Sequence, residues 1–428
     1  MREKLVAALD ANAGESPKFD FGLSAPEMRA IDALVRPAVA SSSRRDERHD
    51  ETQRGVLFHL IFSLPSIYVA VRFLWPLPWP TALKLVLTLA LLAAGQFHFW
   101  NRLSSGSVFS PEFPRGVVIL FNWAFGAMVL LAAMQLALDV VSLASKVLPG
   151  GGLRIAVTWR YAIAVVAMLL SAVAVGQAIR VPPPKDVELA VRNLPPEFDG
   201  YRILQLTDLH ISRLFPRSWT QATVERAMAL DVDLIVVTGD FIDGTVALRR
   251  DDVDPLKRLS APDGVWGITG NHEYFFGAEA WMRHFASMGI RILANEHVVL
   301  RRGPGALVLA GVTDLSASTG HRAHDLETAL SGAPPQAPVV LLDHQPRAAR
   351  IAAARGVALQ LSGHTHGGMI VGLDRLVARS NGGFTSGVYD IEGMTLYVNN
   401  GSALWPGFAL RLGYPSELTR ITLRGRPT

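Results

Sequence analysis

The sequence predicts an α/β protein preceded by an N-terminal region of about four transmembrane helices. Four long apolar segments lie between residues 55 and 180, where polar helix faces are lacking. Beyond residue 198, short apolar segments alternate with amphipathic helical patterns, which is typical of strands and helices that follow one another. Several of these apolar segments stop at Asp, Asn or His, which predicts a polar cleft at one edge of a sheet.

Length and composition exclude several classes of protein. The chain has 428 residues, more than one average domain, and half of them are apolar, with a mean hydropathy of +0.26. It contains no cysteine, which excludes disulfides, thiolate metal ligands and a cysteine nucleophile. The net charge of +4 is too small to indicate nucleic-acid binding, so we expect no nucleic-acid partner.

Residues 1–54 form a polar N-terminal tail. They contain the mixed-charge stretch "SSSRRDERHDETQR", and no apolar segment of a secretory signal peptide lies near Met1. We therefore expect a cytosolic tail.

The transmembrane region is predicted over residues 55–180. Its apolar segments are residues 55–75, 81–100, 116–141 and 161–179, each near or above the roughly 20 residues that span a bilayer. The tryptophans of this region lie mostly near the segment ends, as is typical of membrane interfaces. The alternative, buried helices of a large soluble core, would require polar faces that these segments lack.

Four spans would place the tail and the C-terminal domain on the same side of the membrane. Nine Lys or Arg residues flank the spans on that side and five on the other. They are Arg44, Arg45, Arg48, Arg54, Arg102, Arg115, Arg180, Lys185 and Arg192 against Arg72, Lys84, Lys146, Arg154 and Arg160. Because positive charge favours the cytoplasmic side, we expect an integral protein of a bacterial inner membrane with its C-terminal domain in the cytoplasm.

The stretch "VPPPKD" ends the last apolar segment, because three consecutive prolines cannot continue a helix and favour extended backbone. We expect a linker over residues 181–197 and a separate domain over residues 198–428.

Five predicted strands of this domain end in polar residues. They are "YRILQLTDLH" with Asp208 and His210, "VDLIVVTGD" with Asp240, "GVWGITGNHE" with Asn271 and His272, "APVVLLDHQP" with His344, and "GVALQLSGHTH" with His364 and His366. The spacing is 30 residues from His210 to Asp240 and 31 from Asp240 to Asn271, about the length of a βαβ unit. Parallel strands bring their carboxyl ends to one edge, so we expect the five motifs to converge.

Two aspartates, an asparagine and four histidines form a mixed oxygen and nitrogen donor set. Such a set suits Mn, Fe, Zn or Co better than Ca, which prefers oxygen alone. Seven groups are too many for one tetrahedral ion but sufficient for two ions that share a carboxylate. A capping or turn residue explains any single motif equally well, but not all five in order.

The ordered motifs "DLH", "GDFID", "GNHE", "DHQP" and "GHTH" resemble those of the calcineurin-like metallophosphoesterases. That family reads D-x-H, G-D-x-x-D, G-N-H-[ED], a lone H and G-H-x-H, and the resemblance covers about residues 198–425. The apolar region and residues 382–423 resemble the membrane-attached branch, which has been linked to hydrolysis of UDP-2,3-diacylglucosamine in lipid A synthesis. The resemblance implies a two-sheet sandwich flanked by helices, with the site at one edge.

The resemblance also implies a role for each site residue. One ion would be bound by Asp208, His210, Asp240 and His366, and the other by Asp240, Asn271, His344 and His364. His272 would be a catalytic general acid rather than a ligand, and Asp243 would orient it. The implied cofactors are two divalent metal ions, with Mn favoured over Fe, Zn or Co. The implied activity is hydrolysis of a phosphodiester or pyrophosphate at the bilayer, with a lipid-linked compound as one possible substrate.

Two alternative functions stay open at this point. A non-catalytic membrane sensor or scaffold could retain the fold, although such a copy would normally have lost ligands and none is lost here. A phosphoprotein phosphatase is disfavoured, because "GDFIDG" and "TGNHE" lack the arginines expected in that branch. The segment "ALWPGFALRLG" is interpreted equally well as an apolar lip for acyl chains or as a loop packed on the core.

Overall fold

The computed structural model describes residues 63–147, 156–317 and 323–426. The expected tail over residues 1–54, and the start of the first expected span, residues 55–62, lie outside this description. A helical region precedes residue 180, and two β-sheets occupy most of the remainder.

The helical region contains five helices among the described residues. They are α1 (Ser63–Leu74), α2 (Thr81–Gly95), α3 (Phe97–Ser105), α4 (Arg115–Ser145) and α5 (Val157–Ile179). The last two are long and apolar enough to cross a bilayer, and α2 with α3, which meet at a bend of 57°, can form a third, broken span. The described residues therefore contain two candidate spans, or three with the bent pair, and the span expected at α1 stays a prediction.

Contacts at its two ends orient the helical region. At one end, the Arg72 guanidinium at the end of α1 pairs with Asp139 near the end of α4, with 2.9 Å between Nε and Oδ2. At the other end, Arg115 Nε at the start of α4 donates to the Leu214 carbonyl beside the first β-sheet, at 2.9 Å. The end of α1 and the end of α4 thus lie remote from the sheets, whereas the start of α4 lies next to them.

The expected linker contains a strand of the first sheet. Residues Pro184–Val191 form β1, which pairs in parallel with the last strand, β12 (Leu418–Gly425). The prolines do end α5, since Arg180 is already extended with ψ of 156°. Pro184 starts a strand at the edge of its sheet, where a missing N–H is tolerated. The sheet therefore begins within the segment that we expected to be a linker.

Each sheet has six strands of mixed direction. The first has the order β1–β12–β2–β3–β4–β5, with β2 (Arg202–Leu206), β3 (Leu234–Thr238), β4 (Val265–Ile268) and β5 (Arg291–Ile292). The second has the order β10–β11–β9–β8–β7–β6. Its strands are β6 (Glu296–Arg302), β7 (Gly305–Gly311), β8 (Val339–Leu342), β9 (Leu359–Ser362), β10 (Gly387–Ile391) and β11 (Met394–Val398).

The five predicted strands are divided between the two sheets. Strands β2, β3 and β4 are parallel neighbours in the first sheet, as the 30-residue spacing predicts. Strands β8 and β9 are parallel neighbours in the second. The carboxyl ends that carry the motifs therefore converge from two sheets.

The sheets enclose one core, and helices cover their outer faces. Ile203 and Val236 of the first sheet and Leu309, Leu342 and Leu361 of the second are buried in one cluster. The helices with buried residues are α6 (Arg217–Met228), α7 (Val246–Val253), α8 (Asn271–Phe275), α9 (Ala278–Ser287), α10 (Leu326–Leu330) and α11 (Ala349–Ala354). A further helix, α12 (Asp374–Ser380), has no buried residue. Two mixed sheets with flanking helices agree with the architecture that the resemblance implies.

The segment 403–413 joins the helical region to the sheets. The Asn122 side chain in α4 donates to the Pro406 carbonyl and accepts from the Ala409 N–H, at 2.9 and 2.8 Å. Most of this segment is buried; Trp405, Phe408 and Leu412 are half-buried, and Gly413 is exposed. The interpretation as a loop packed on the core therefore fits most of the segment.

We predict that cysteines at the remote end of the helical region are labelled from the side opposite to the sheets. Because the natural chain has no cysteine, Pro78→Cys, Val147→Cys and Arg424→Cys would each carry a single reactive thiol. A membrane-impermeant maleimide on intact cells should label the first two and not the third. Four spans predict that Ser42→Cys in the tail is protected like Arg424→Cys.

Permeabilised cells, in which all four thiols should react, provide the control. Labelling of Ser42→Cys together with Pro78→Cys would contradict four spans. Labelling of Arg424→Cys and Ser42→Cys in intact cells, with Pro78→Cys and Val147→Cys protected, would reverse the expected orientation.

Candidate metal centre

The predicted ligand residues lie together where the strand ends of the two sheets meet. Five of them are buried, and Asn271 and His364 are half-buried. The full set is Asp208, His210, Asp240, Asn271, His344, His364 and His366. Polar groups of this kind are seldom buried unless hydrogen bonds, opposite charges or a metal compensate their lost hydration.

Most of these residues have strained backbone. The φ angles of Asp208, His210, Asp240, His364 and His366 are 52°, 40°, 53°, 68° and 51°, in the left-handed region that side chains other than glycine rarely adopt. Such conformations cost about 1–3 kcal/mol each and persist where the surrounding structure imposes them. Their concentration at the strand ends indicates a functional site.

Two glycines permit the close approach of the motifs. A Cβ on Gly270 would overlap the Asp240 carboxylate, and one on Gly363 would overlap the side chains of Thr207 and Asp208. The loops of the "GNHE" and "GHTH" motifs can therefore touch the aspartates only because these positions lack side chains.

The first cluster consists of Asp208, His210 and His366. The Nε2 atoms of His210 and His366 are 3.3 Å apart, and His366 Nε2 is 3.7 Å from Asp208 Oδ1. His210 Nδ1 lies 3.1 Å from Asp243 Oδ2, a contact that requires a proton on Nδ1 when the imidazole is neutral. His210 Nε2 then carries the lone pair of the neutral ring, and it faces His366 Nε2 and, at 4.0 Å, Asp208 Oδ1, an arrangement that a cation would stabilise.

The second cluster consists of Asp240, Asn271, His344 and His364. His344 Nδ1 donates to the Thr238 carbonyl at 2.8 Å, which leaves the lone pair of a neutral ring on Nε2. That atom lies 3.2 Å from both Asp240 Oδ2 and Asn271 Oδ1. His364 Nδ1 lies 2.9 Å from the same asparagine oxygen. Acceptor atoms again converge on one point.

The donor chemistry of both clusters fits divalent cations. In each group of Asp and His ligands the donor atoms lie within 4.8 Å of one another. Asp240 Oδ2 is 3.8 Å from His210 Nε2 of the first cluster and 3.2 Å from His344 Nε2 of the second, so Asp240 lies between them. Imidazole nitrogens mixed with carboxylate and amide oxygens suit Mn, Fe, Zn or Co.

His272 and Asp243 lie beside the clusters. His272 Nδ1 makes a short contact with Asp243 Oδ1, and its Nε2 is 4.0 Å from Asp240 Oδ2. His272 also forms a group of possible ligands with His210 and Asp240. The geometry is thus compatible with a ligand as well as with the non-ligand role that the resemblance implies.

The buried carboxylates favour positive charge between them. Burial lowers the pKa of His272, but Asp240 and Asp243 outweigh it and raise the pKa to about 9. Burial likewise lowers the pKa of His344, but the neighbouring Asp240 outweighs burial and raises this pKa well above its ordinary value. Burial and the neighbouring His344 instead lower the pKa of His364 to about 3. A proton or a metal ion can supply the positive charge that these carboxylates favour.

Sequence reasoning quoted "GNHE" but gave Glu273 no role. The Glu273 carboxylate is buried and accepts from the backbone N–H groups of Asp240, Phe241 and Gly270, at 3.0, 2.9 and 2.7 Å. It therefore ties the loop of the "GDFID" motif to the start of α8. The available signal was the acidic residue at the third position of α8, which is typical of a capping box.

Sequence reasoning also missed part of the role of Asp243. One of its oxygens contacts His272 and the other contacts His210, which is a predicted ligand. Asp243 therefore positions both a predicted ligand and the predicted general acid. Spacing within one motif could not indicate the second contact, because His210 lies on a different strand.

Arg411 is a further residue that the sequence did not indicate as part of the site. It is fully buried and donates to the carbonyl groups of Asn400, Ala403 and His366, at 2.6, 2.9 and 3.2 Å. Burial lowers the pKa of Arg411 to about 10. The guanidinium thus holds the segment after β11 against the backbone of a predicted ligand.

Comparisons with known proteins indicate the family to which this chain is similar. Residues 201–368 match the family described as calcineurin-like phosphoesterase. The chain is 36% identical over 255 residues to a zebrafish (Danio rerio) protein named transmembrane protein with metallophosphoesterase domain, with 56% of this chain and 58% of that protein covered. A cattle (Bos taurus) protein of the same name is 35% identical over 276 residues, with 61% and 62% covered.

A bacterial relative is covered more completely. The uncharacterized metallophosphoesterase YkuE of Bacillus subtilis is 31% identical over 238 residues, with 54% of this chain and 82% of that protein covered. The match to the zebrafish and cattle proteins spans about three fifths of their length.

We predict that Asp240→Asn removes most of the bound metal. Wild-type protein reconstituted with Mn(II) should contain about two ions per chain, since Asp240 lies between two donor clusters. Elemental analysis of desalted protein measures the content. Asp251→Asn, an exposed carboxylate outside the site, is the matched control and should keep the wild-type content.

A wild-type content of one ion or none at saturating Mn(II) would contradict two metal sites. Full metal retention by Asp240→Asn would contradict the shared position of this carboxylate.

Proposed function

The chain belongs to the calcineurin-like phosphoesterase family, and we propose that it is a membrane-bound, metal-dependent hydrolase of a phosphodiester or pyrophosphate bond. One observation supports this proposal: nitrogen and oxygen ligand atoms, most of them buried, converge in two clusters with Asp240 between them. A scaffold without catalysis would gain nothing from the backbone strain that this convergence requires.

Two divalent ions are proposed as the cofactors, with Mn, Fe, Zn and Co as the candidates. One would be held by Asp208, His210, Asp240 and His366, and the other by Asp240, Asn271, His344 and His364. When bound, such ions supply an activated water and stabilise the charge that develops at phosphorus in an in-line displacement.

His272 is proposed as the group that protonates the leaving oxygen. Its Nδ1 is engaged by Asp243, so the ring is fixed with Nε2 directed toward the side of Asp240, 4.0 Å away. A fixed donor close to the departing oxygen stabilises the transition state without reorganisation. Asp243 acts through His272 and through His210, and it is therefore a positioning residue.

The substrate is proposed to be presented at the bilayer. The segment 403–413 packs directly on the helical region: the Arg411 backbone N–H donates to the Ala174 carbonyl of α5, at 3.1 Å. A phosphate ester or pyrophosphate attached to a lipid would reach such a site with its apolar part still in the membrane, and UDP-2,3-diacylglucosamine is one compound of this kind.

A hydrolysis screen tests the proposed function. Purified full-length protein with Mn(II) should release product from lipid-linked pyrophosphates or phosphodiesters, and less or none from phosphopeptides. Asp240→Asn should abolish turnover, and Asp251→Asn should retain it. Hydrolysis of phosphopeptides alone would favour a phosphoprotein phosphatase, and no hydrolysis of any of these with any of the four metals would contradict an enzyme.

We predict that His272→Ala lowers kcat by about 10²–10⁴-fold while the metal is retained. The loss should be smaller for a p-nitrophenyl diester than for an alkyl ester, because a good leaving group needs little protonation. Kinetics on both esters and metal content from the same preparations measure this. His297→Ala, in β6, is the matched control and should resemble the wild type.

Asp243→Asn should reduce kcat as well, and the double variant should show less than the sum of the two losses. Because Asp243 also touches His210, its loss should lower metal content where His272→Ala does not. Loss of metal in His272→Ala, or an equal kcat loss on both esters, would contradict the role as proton donor.

A further inference from the structure

Three aromatic side chains lie next to one another on the side of His272 that is outside the two donor clusters, and two of them contact its ring. The ring centroids of Phe109 and Phe275 lie 5.3 and 5.2 Å from that of His272. Phe109 stacks on Phe275 with 4.9 Å between centroids and contacts Trp405 edge-on at 5.6 Å. Phe109, Phe275 and Trp405 are called the aromatic wall below.

The aromatic wall is not part of a hydrophobic core. Phe275 is 47% exposed, and Phe109 and Trp405 are half-buried. None of the three belongs to the packed apolar clusters of the described residues. Large rings that remain accessible next to a predicted catalytic group are typical of a ligand-binding surface.

Phe109 reaches this place from the helical region. It lies in the segment between α3 and α4, residues 106–114, far in sequence from the sheets. The Ser110 hydroxyl donates to the Asp243 carbonyl at 3.1 Å, and the Glu112 carboxylate pairs with the fully buried Arg249. Two buried polar contacts thus hold Phe109 beside His272.

We propose that the aromatic wall binds the apolar part of the leaving group, so that the membrane region contributes a specificity residue, Phe109, to the catalytic site. The inference rests on the proposed function in one respect, namely that His272 faces the leaving oxygen. The group bonded to that oxygen then lies on the same side as the wall. Flat or bulky apolar groups pack well on aromatic faces, whereas a small polar alcohol gains little there.

The competing interpretation is that the rings only hold His272 in place by packing. In that case their removal would slow the reaction of all substrates alike and would not alter binding of the leaving-group side. A measurement of binding that involves no proton transfer separates the two interpretations.

The test compares three phosphonates that share the anionic group and differ in the apolar group. Calorimetry on full-length, Mn(II)-loaded protein in lipid nanodiscs should give tighter binding of phenylphosphonate and cyclohexylphosphonate than of methylphosphonate. Phe109→Ala and Phe275→Ala should each reduce the preference for the larger groups by roughly 2- to 10-fold, the range for one lost aromatic contact. The affinity for methylphosphonate should stay unchanged.

Phe99→Ala is the matched control, because Phe99 is an exposed phenylalanine on α3 outside the wall. It should keep the wild-type preference. Phe109→Leu retains most of the volume and tests the wall if Phe109→Ala does not fold. Metal content and thermal unfolding verify that each variant keeps the site.

An unchanged preference in Phe109→Leu and Phe275→Ala, or no preference in the wild type, would overturn the proposal. The hydrolysis screen can fail separately. A preference for phenylphosphonate without turnover of any ester would refute the proposed function and retain the aromatic wall as a binding surface. Turnover without that preference would refute the aromatic wall alone.

Discussion

The burial of electron-pair donors around Asp240 is the constraint on which the rest of this site depends. The carboxylate oxygen of Asp240 and the amide oxygen of Asn271 each lie 3.2 Å from Nε2 of His344, which carries a lone pair when that ring is neutral. In a low-dielectric interior this arrangement of lone-pair atoms is unfavourable unless positive charge lies between them. A folded chain therefore needs other interactions to hold the donors together, and a cation lowers the free energy of the arrangement once it is formed.

Those other interactions are mostly backbone contacts. Glu273 accepts three N–H groups and thereby fixes the loop of Asp240 against α8. The Asp208 carboxylate accepts from the His364 N–H, at 3.1 Å, and so joins the end of β2 to the "GHTH" loop across two sheets. The shared core of the two sheets supplies the apolar burial that offsets left-handed backbone at the strand ends. The packed core beneath the site therefore stabilises the strained backbone of the site residues.

Local signals in the sequence predicted the strands and the motif residues. Features that depend on contacts between distant parts of the chain could not be predicted from such signals. Strands β2, β3 and β4 were predictable because their spacing and their apolar runs are properties of contiguous residues. Strand β1 was not, since its partner is β12, more than 200 residues away, and prolines before it indicated a linker. The second contact of Asp243, with His210, likewise joins two strands whose relative placement no motif specifies. The tail and residues 55–62 lie outside the described residues.

The contacts between the helical region and the sheets also join residues that are far apart in sequence, and they bear on where the chain divides into domains. A chain cut at residue 198 would lose β1 and leave β12 as the edge strand of its sheet, paired on one side with β2 and open to pairing with other chains on the other. It would also lose Glu112 and Ser110, so that buried Arg249 would retain Asp252, 3.6 Å away, as its carboxylate partner. Truncating one partner of a buried ion pair typically costs several kcal/mol. The helical region and β1 are therefore structurally part of one unit with the sheets. Strand β1 completes the sheet edge, and residues of the helical region complete the partners of Arg249 and the surroundings of His272.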